Sequence, residues 1–377
     1  MHSDARADVN TIPRFDFDAR YERHLRGTYA WLLRSIEHGK GGSCAYYLPA
    51  RGWSAPYPET TGYLIPTLIA SGLPAGDDFA LTRAQSLGSW LLTLQQTAGF
   101  WNAGTHPAKR PEPSVFNTAQ IIDGLCALDR ATGESVWIDA AHRAAGWLTA
   151  GIDANGAFSR GNYRDDFNPT YYTQVAWPML EVWKRTGDNS LRVAADRILR
   201  SVVAKRQTNG AFHDWGFNRG APAFTHTIAY LLRGLIESAR LLGEPEYREL
   251  ALPALETLRR KAEAANGRLP GTYNTEWRSK GRFVCLTGNA QLALCFLCVD
   301  AVSPDLRWVN AAAKLVDAIC GAQRLRHPIY GMRGAVAGSS PLFGPYMRLR
   351  FPNWAAKYHV DALMAIRQRL NAEAATN

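Results

Sequence analysis

The sequence has no apolar stretch long enough to cross a membrane and no dense run of one charge. Its 377 residues are 46% hydrophobic and 20% charged, a balance that is ordinary for a globular protein with a large core. A membrane helix needs roughly 18 consecutive apolar residues, and no segment approaches that length. The opening residues, MHSDARADVN, are polar, so no secretory leader is visible.

Cysteine pairs of the kind that bind metals or form disulfide frameworks are also missing. Most of the six cysteines lie in apolar, helix-like contexts, where a free thiol behaves as a small hydrophobe. Cys295 and Cys298 have the CxxC spacing, but no second pair accompanies them. The sequence lacks HExxH, P-loop, GxGxxG and nucleophile-elbow motifs. We therefore expect no metal, no cofactor and a reduced, cytoplasmic setting.

The formal net charge of +10 is spread along the chain. Scattered basic residues argue against a nucleic-acid partner. A diffuse positive field suits an acidic small molecule or a polyanionic glycan, and it also suits simple solubility. The oligomeric state is left open.

The sequence does contain a repeat, marked first by glycine turns behind helical segments. Glycine, often after Asn, is typical of a helix C-terminus, so we interpret each turn as the end of a helix. One turn, TNGAFHDW, carries a His, an Asp and a Trp, where its upstream copy ANGAFSRG carries SRG. The four glycines are Gly99, Gly156, Gly210 and Gly267, separated by 57, 54 and 57 residues.

A second marker keeps the same step, because a threonine opens each of five strongly apolar segments. A sixth such segment, PNWAAKYHVDALMAI, begins at Pro352 without the threonine. The threonines are Thr61, Thr118, Thr173, Thr227 and Thr287, separated by 57, 55, 54 and 60 residues.

The segments between the two markers are amphipathic. In SLRVAADRILRSVVAKRQ, apolar residues follow the i, i+3, i+4 rhythm and charges occupy the other face. The threonine-led segments are apolar on nearly all sides, which indicates burial. Each unit of about 55 residues is thus an amphipathic outer helix, a long loop and a buried inner helix. The first outer helix is expected around Phe17 to His38, and the first inner helix from about Glu59.

Six such units predict an all-α fold, an (α/α)6 toroid of two concentric helical rings with few short strands in the loops. The pattern covers nearly the whole chain, so we expect one domain over residues 1–377, with residues 1–16 as an N-terminal tail. All six long loops then open on one face of the barrel. The inner-helix N-termini converge there, and their N–H groups favour anions and polar oxygens. The short turns on the opposite face are expected to be structural.

The long loops carry many aromatic and titratable side chains, which suits sugar binding. Arginines in the same cleft suit carboxylate-bearing sugars through bidentate pairing. Many of these aromatic residues could equally pack loop against loop. The candidate substrate-binding residues are Tyr57, Trp101, His106, Arg164, Trp215, Tyr273, Arg348, Asn353 and Trp354.

Two sets of residues could carry chemistry on this face. Glycoside hydrolysis needs two carboxylates, for which Asp166 and Asp214 are the leading pair and Glu59 or Glu276 are substitutes. Uronate elimination or C5 epimerisation needs a Tyr, His or Lys to move a proton, with Arg or Asn to neutralise charge. The candidates for that chemistry are Tyr172, His213, His226, Tyr273, Arg348 and Asn353.

The repeat resembles the six-hairpin toroid superfamily, which includes unsaturated glucuronyl hydrolases, polysaccharide lyases, sugar 2-epimerases and, more distantly, terpenoid cyclases. The segment YMRLRFPNWAAKYHVDALM resembles the C-terminal domain of glucuronyl C5-epimerases. These resemblances imply an acidic, uronate-type glycan as substrate. Hydrolysis is the first expectation and lyase or epimerase chemistry the second. A non-catalytic glycan-binding or assembly protein and a terpenoid or prenyl-type cyclase are the further alternatives.

Overall fold

The structure is a computed structural model, and it describes residues 20–71 and 77–376. The expected N-terminal tail, residues 1–16, lies outside the described residues. Within them, twelve α-helices alternate between two rings. The outer helices are α1 (Arg20–His38), α3 (Asp77–Leu94), α5 (Ser135–Ala150), α7 (Asn189–Val203), α9 (Glu246–Ala264) and α11 (Leu306–Ala322). The inner helices are α2 (Pro58–Ser71), α4 (Val115–Thr132), α6 (Thr173–Thr186), α8 (Thr225–Leu242), α10 (Leu286–Val302) and α12 (Asn353–Thr376).

The inner helices form a closed ring, which confirms the predicted (α/α)6 toroid. Each inner helix packs against the next, and α12 packs against α2. The approach of α2 to α4 is close enough for backbone contact, because a side chain at Gly124 would collide with the carbonyl group of Gly62. Apolar residues on all sides of the inner helices are explained by this double burial, against the lumen side and the outer ring alike.

The helices pair as inner helix with following outer helix. Five pairs, from α2 with α3 to α10 with α11, pack closely and follow one another directly in the chain. The sixth pair is α12 with α1, which are the last and first helices of the described chain. Because no turn connects α12 to α1, these two helices are held together by contacts between their side chains.

Three of the repeated glycines, Gly99, Gly156 and Gly210, do not end the outer helices as predicted but lie several residues beyond them, whereas the N–H of Gly267 donates to the Ala262 carbonyl at the end of α9. Helix α7 ends at Val203, and Gly210 lies at the tip of a small hairpin in which the N–H of Gln207 donates to the carbonyl of Ala211 at 2.8 Å. A side chain at Gly210 would press on Pro253 of α9, the next outer helix. The regular spacing of these glycines is therefore explained by close contacts between each loop and the next outer helix. The left-handed glycines that do cap helices stand at short turns and are Gly133, Gly187 and Gly243.

Short antiparallel strands tie neighbouring long loops together, in line with the expectation of few strands in loops. Strand β1 (Tyr46–Leu48) pairs with β2 (Gly52–Trp53) and with β7 (Phe351–Pro352), which joins the first loop to the sixth. Strand β3 (Ala223–Phe224) pairs with β4 (Thr272–Tyr273), and β5 (Val284–Cys285) pairs with β6 (Ser339–Ser340). Tyr46 stands opposite Pro352, and Ala223 opposite Tyr273. The loops thus form one connected surface over the inner-helix N-termini.

All six cysteines are free thiols, and five of them are buried. None of the helices that the structure describes is long and apolar enough to cross a membrane.

Candidate functional site

A cluster of aromatic and titratable side chains surrounds the barrel axis at the loop end of the inner helices. We call it the loop-side cluster. The first turns of the inner helices and the loop residues next to them supply its members, because those positions point toward the axis of a closed ring. Its members are Tyr57, Glu59, Phe116, Tyr171, Phe217, Phe224, His226, Tyr230, Tyr346 and Trp354.

One side of the cluster is built from the sixth and first loops. The rings of Tyr57 and Trp354 meet edge to face, with centroids 6.4 Å apart. The indole N–H of Trp354 donates to the Tyr346 hydroxyl at 2.8 Å. The Tyr346 ring lies 4.4 Å from the His226 imidazole. This wall therefore combines flat apolar ring faces with hydroxyl and imidazole groups. Such a surface can contact both the apolar C–H face and the hydroxyl groups of a sugar ring.

The other side of the cluster is almost entirely aromatic. His226 packs on Phe217 at 5.4 Å, and Phe217 packs on Tyr171 at 6.0 Å. Tyr171 meets Phe116 at 5.6 Å, and Phe116 reaches Tyr230 at 5.2 Å. Edge-to-face geometry of this kind stabilises each pair by about 1 kcal/mol beyond burial. The wall is consequently rigid, and Phe116 and Phe217 remain half-buried at its surface.

Glu59 is the carboxylate of the cluster. It stands in the first turn of α2, directly after the long loop, and retains 8% of its surface exposure. The Tyr57 hydroxyl donates to its Oε2 at 2.5 Å. Burial raises the pKa of Glu59 to about 7, although the Tyr57 hydrogen bond opposes the rise. A carboxyl group that titrates near neutrality can both remove and return a proton at physiological pH.

His226 opens α8 on the facing side and is almost fully buried. Burial lowers the pKa of its imidazole to about 3, so the ring is neutral at physiological pH. The thiol of Cys285 lies 3.8 Å from its Nδ1. His226 is therefore suited to hydrogen bonding with a ligand as a neutral group, and less suited to carrying a charge.

A second polar region, which we call the lumen chamber, occupies the other end of the barrel. It is a half-open cavity of about 350 Å³ between the inner helices. Tyr230 and Tyr358 line it and separate it from the loop-side cluster. Four glutamines line the wall: Gln120, Gln174, Gln291 and Gln368. None of the candidate residues predicted from the sequence lies here. The inner helices were expected to carry only buried apolar residues at this end, and the short turns were expected to be structural.

Most charges in the chamber are paired. Arg233 binds Glu237 at 2.6 Å, and Glu237 also accepts from Arg240 at 2.8 Å. Lys357 binds Asp361 at 2.7 Å. Asp123 faces the same cavity, and burial raises its pKa to about 6 while Lys357 opposes the rise. The pairs are the arrangement expected for charges held inside a protein.

The structure brings four of the candidate residues together in the loop-side cluster. They are Tyr57, Glu59, His226 and Trp354. Tyr172 lies next to Tyr171, but its hydroxyl donates to Asn162 at 3.0 Å within the third loop.

Four further candidates are buried and engaged in loop architecture. The indole N–H of Trp101 donates to the carbonyl of Leu91 at 2.8 Å. Asn353 donates from Nδ2 to the hydroxyl groups of Ser43 and Thr60, each at 2.9 Å. Trp215 packs on Trp277 at 5.1 Å, and Tyr273 packs on the same ring at 6.0 Å. Such contacts fit packing of loop against loop.

Asp166 and Asp214 lie in the third and fourth loops, outside the cluster. Asp214 accepts from Lys205 at 3.1 Å, and the backbone carbonyl of Asp166 accepts from Arg219 at 3.0 Å. Both aspartates have positive φ, 55° and 57°, a conformation that Asp and Asn tolerate better than most residues. Backbone conformation is thus a sufficient reason for an acidic residue at each position.

The remaining candidates are spread over the loop surface. His213 is exposed and contacts Gln207 at 2.9 Å, and His106 stands edge-on to Trp90 at 5.8 Å. Glu276, Arg164 and Arg348 are exposed.

Sequence reasoning did not name Phe116, Tyr230 or Tyr346 as site residues. Phe116 and Tyr230 stand at the second and sixth positions of their helices, just beyond the long loops. The signal that could have found them is the repeat itself, because aligned first and second turns of inner helices share the same orientation toward the axis.

No protein-family model matches this chain, and no curated protein does so. Solved structures match along nearly the whole chain, and they are carbohydrate-active enzymes with the (α/α)6 toroid fold. The likeness to that superfamily is thereby confirmed at the level of the fold. Among them is an unsaturated glucuronyl hydrolase specific for heparin, with a TM-score of 0.75 and 14% identity, covering 93% of this chain and 98% of its own.

Two epimerases are similar to a comparable degree. A sugar epimerase from a ruminal bacterium has a TM-score of 0.75 at 13% identity, covering 93% of this chain and 98% of its own. A cellobiose 2-epimerase from Bacillus thermoamylovorans has a TM-score of 0.72 at 9% identity, covering 91% and 98%. At these identities the likeness shows a shared fold.

Proposed function

We propose that this chain is a carbohydrate-active enzyme that modifies an acidic, uronate-type oligo- or polysaccharide at the loop-side cluster. The reaction is proton transfer at a sugar carbon, as in C5 epimerisation or elimination. The observation that carries the proposal is Glu59, a buried carboxyl group with a pKa near 7 at the floor of an aromatic cluster. The fold shared with sugar epimerases and a glucuronyl hydrolase supports a glycan as substrate.

The surface of the cluster supports sugar binding. Tyr57, Phe116, Phe217 and Trp354 are half-buried, so each keeps part of a ring face that can stack on the C–H face of a sugar. These rings bring large contact area with few rotatable bonds, which limits the entropy cost of binding.

The rim supports an acidic substrate. Arg164 stacks on Tyr163 at 5.5 Å, and Tyr163 packs on Phe217 of the cluster at 5.7 Å. Arg219 donates to the backbone carbonyl of Asp166 in the third loop, and its guanidinium group lies over the Phe167 ring. An arginine binds a carboxylate through two parallel hydrogen bonds. Arg164 and Arg219 would thus hold neighbouring uronate units while one sugar ring occupies the cluster.

The chemistry assigned to Glu59 balances in either reaction. In epimerisation, the Glu59 carboxylate removes the C5 proton, the electron pair moves into the sugar carboxylate, and a water molecule on the opposite face returns a proton to C5. In elimination, the same electron pair forms the C4–C5 double bond, the C4–O bond breaks, and the leaving oxygen takes up a proton from water or from the protonated Glu59. The Tyr57 hydroxyl, hydrogen-bonded to Glu59, stabilises the ionised form that removes the proton.

Hydrolysis is the second candidate, favoured by the likeness to a glucuronyl hydrolase. It needs a second carboxylate across the scissile bond, roughly 5–10 Å from the first. Of the other carboxylates predicted for hydrolysis, Asp166 and Asp214 lie in the third and fourth loops with other contacts, and Glu276 is exposed. We therefore place proton transfer ahead of hydrolysis.

One experiment separates the three reactions and simple binding. The protein is incubated in D2O with uronate-containing polysaccharides, and each product is followed separately. Deuterium at C5, seen by NMR, indicates proton transfer; absorbance of an unsaturated uronate indicates elimination; new reducing ends without unsaturation indicate hydrolysis. We expect either deuterium at C5, which indicates epimerisation or exchange, or the absorbance of an unsaturated uronate, whose C4–C5 double bond leaves no hydrogen at C5. Hydrolysis products alone, or binding without any product, would refute the proposed reaction.

A further inference from the structure

Three metal-ligating side chains from three helices meet in the interior, away from the loop-side cluster. His24 is on α1, Cys320 on α11 and His359 on α12, and all three are buried. A ring nitrogen of each histidine and the Cys320 sulfur lie within 4.8 Å of one another. The Nε2 of His359 is 3.9 Å from that sulfur. No sequence motif marks this group, because each ligand comes from a different helix.

A neighbouring glutamine sets the tautomer of His24. The Nε2 amide of Gln323 donates to the Gly334 carbonyl at 2.6 Å, and a carbonyl can only accept. The Oε1 end of Gln323 therefore faces Nδ1 of His24, 2.5 Å away, so Nδ1 carries the proton and donates. The lone pair is left on Nε2. Histidines that bind metals usually donate their other ring N–H to an oxygen in this way, which orients the ring.

The distances within the group can be compared with those of a zinc site. Zinc binds nitrogen at about 2.0–2.1 Å and sulfur at about 2.3 Å in a tetrahedron, which places ligand atoms roughly 3.3–3.6 Å apart. The 3.9 Å between Cys320 and His359 is close to that geometry, and the other ligand atoms, within 4.8 Å, would move inward on binding.

We infer that His24, Cys320 and His359 bind a zinc ion, with a water molecule in the fourth position. Binding releases the thiol proton of Cys320 and leaves a thiolate ligand. One thiolate and two imidazoles match the preference of zinc for mixed sulfur and nitrogen sites.

The position of the group gives the ion a structural role. Helices α1 and α12 form the helical pair that has no connecting turn, and α11 flanks them. Side-chain contacts already join these helices: Arg367 of α12 binds Glu22 of α1 at 3.5 Å, and the Tyr21 hydroxyl of α1 donates to Asp317 of α11 at 2.8 Å. A zinc ion shared by α1, α11 and α12 would replace the missing turn and close the toroid.

The test measures metal content, cobalt spectrum and thermal unfolding on the full chain. Purified wild-type protein should contain near-stoichiometric zinc, and a chelator should lower its unfolding midpoint by several degrees, reversed by Zn²⁺. Cobalt added to the stripped protein should give a thiolate-to-cobalt charge-transfer band. Cys320→Ser and His359→Gln should abolish the band and the zinc.

Cys295→Ser is the matched control, because Cys295 is equally buried in a helix but bonds to the Ala229 carbonyl. It should retain zinc and the cobalt band. If Cys320→Ser fails to fold, cobalt and zinc titration of stripped wild-type protein still decides the matter. The inference is overturned if wild-type protein neither contains zinc nor develops the band, or if Cys320→Ser retains both.

Discussion

The loop-side cluster and the lumen chamber lie at opposite ends of the same six inner helices, yet they bury polar groups in different ways. In the chamber, Arg233 and Lys357 each bind a carboxylate within 2.7 Å. In the cluster, Glu59 receives one hydroxyl donor and no cation. Pairing removes most of the cost of burying a charge, whereas an unpaired carboxyl group keeps an altered pKa that chemistry can use. Asp123 of the chamber also has a raised pKa, so the assignment of the reaction to the cluster rests on the half-buried aromatic rings beside Glu59 as well.

The direction of the helices explains part of the difference. Inner-helix N-termini face the cluster, and their free N–H groups favour oxygen atoms and anions. Inner-helix C-termini face the chamber, where Arg130 and Arg240 stand in the last turns of α4 and α8. Basic residues are favourable at that end of a helix, and they in turn recruit Glu181 and Glu237 as partners.

The largest effect that we predict is the loss of activity in Glu59→Gln. Glutamine keeps the size of the side chain but cannot take up a proton, so kcat should fall by at least about 100-fold. Glu276→Gln, which alters an exposed loop carboxylate, should leave kcat within about two-fold. Steady-state kinetics on uronate-containing substrate, with circular dichroism to confirm folding, measures both. Equal losses in the two variants would break the assignment of the reaction to the cluster.

The second prediction concerns stability in the chamber. Glu237→Gln removes the carboxylate between Arg233 and Arg240 and leaves buried positive charge, which should lower the free energy of unfolding by about 3 kcal/mol. Glu244→Gln breaks the pair with Arg192, whose side chains are both nearly half exposed, and should cost about 0.5 kcal/mol or less. Urea unfolding measures the two values.

The enzymatic activity of Glu237→Gln provides a second test of the same comparison. Glu237→Gln should keep the kcat of the folded fraction, since the chamber is not assigned a part in the reaction. A large fall in kcat with unchanged stability would move the active site from the cluster to the chamber.

The third prediction is a pH dependence of stability that originates in the cluster. The pKa of Glu59 is raised from 4.5 to about 7 by burial, so between these values the native protein holds a proton that the unfolded chain has lost. Its contribution is fully present below about pH 4.5 and is lost as pH rises through about 7, by up to about 3 kcal/mol. Glu59→Gln, which resembles the protonated form, should lack this loss. Unfolding free energies from pH 4.5 to 7.5 measure the difference.

Asp123 supplies the comparison within the chamber. Its pKa is raised from 3.8 to about 6, so its contribution has the same sign but is lost at lower pH, as pH rises through about 6. Asp123→Asn should therefore change the curve mainly below pH 6. If Glu59→Gln changes nothing between pH 5 and 7, the raised pKa of Glu59 is wrong.

The toroid could be predicted from the sequence because its signals are local and repeated. Amphipathic outer helices alternate with apolar inner ones, and glycines recur every 54–57 residues, so six units could be counted without knowing how they pack. The physical role of the glycines could not be predicted in this way. Contact between Gly210 and Pro253 of the next outer helix exists only once the ring has closed.

The candidate site was less accessible to sequence reasoning. Glu59 and His226 could be chosen because they stand where a loop enters an inner helix. Their convergence with Phe116 and Tyr346 depends on the radius and closure of the ring, which no local pattern contains. The chamber did leave a local signal, the i, i+4 pair of Arg233 and Glu237 within an apolar helix, since paired charges at that spacing share one face.

The smallest predicted effect falls on Asp214, the aspartate that a carboxylate-pair mechanism would most need. Asparagine tolerates its positive φ of 57° and can still accept a hydrogen bond from Lys205, so Asp214→Asn should lower the free energy of unfolding by about 1 kcal/mol or less. Asp214→Ala should cost about 1–2 kcal/mol more, because alanine disfavours the left-handed conformation. Activity should stay within about two-fold in both variants. A loss of 100-fold in Asp214→Asn with unchanged stability would return the reaction to the loops, and would favour hydrolysis by a carboxylate pair over proton transfer at Glu59.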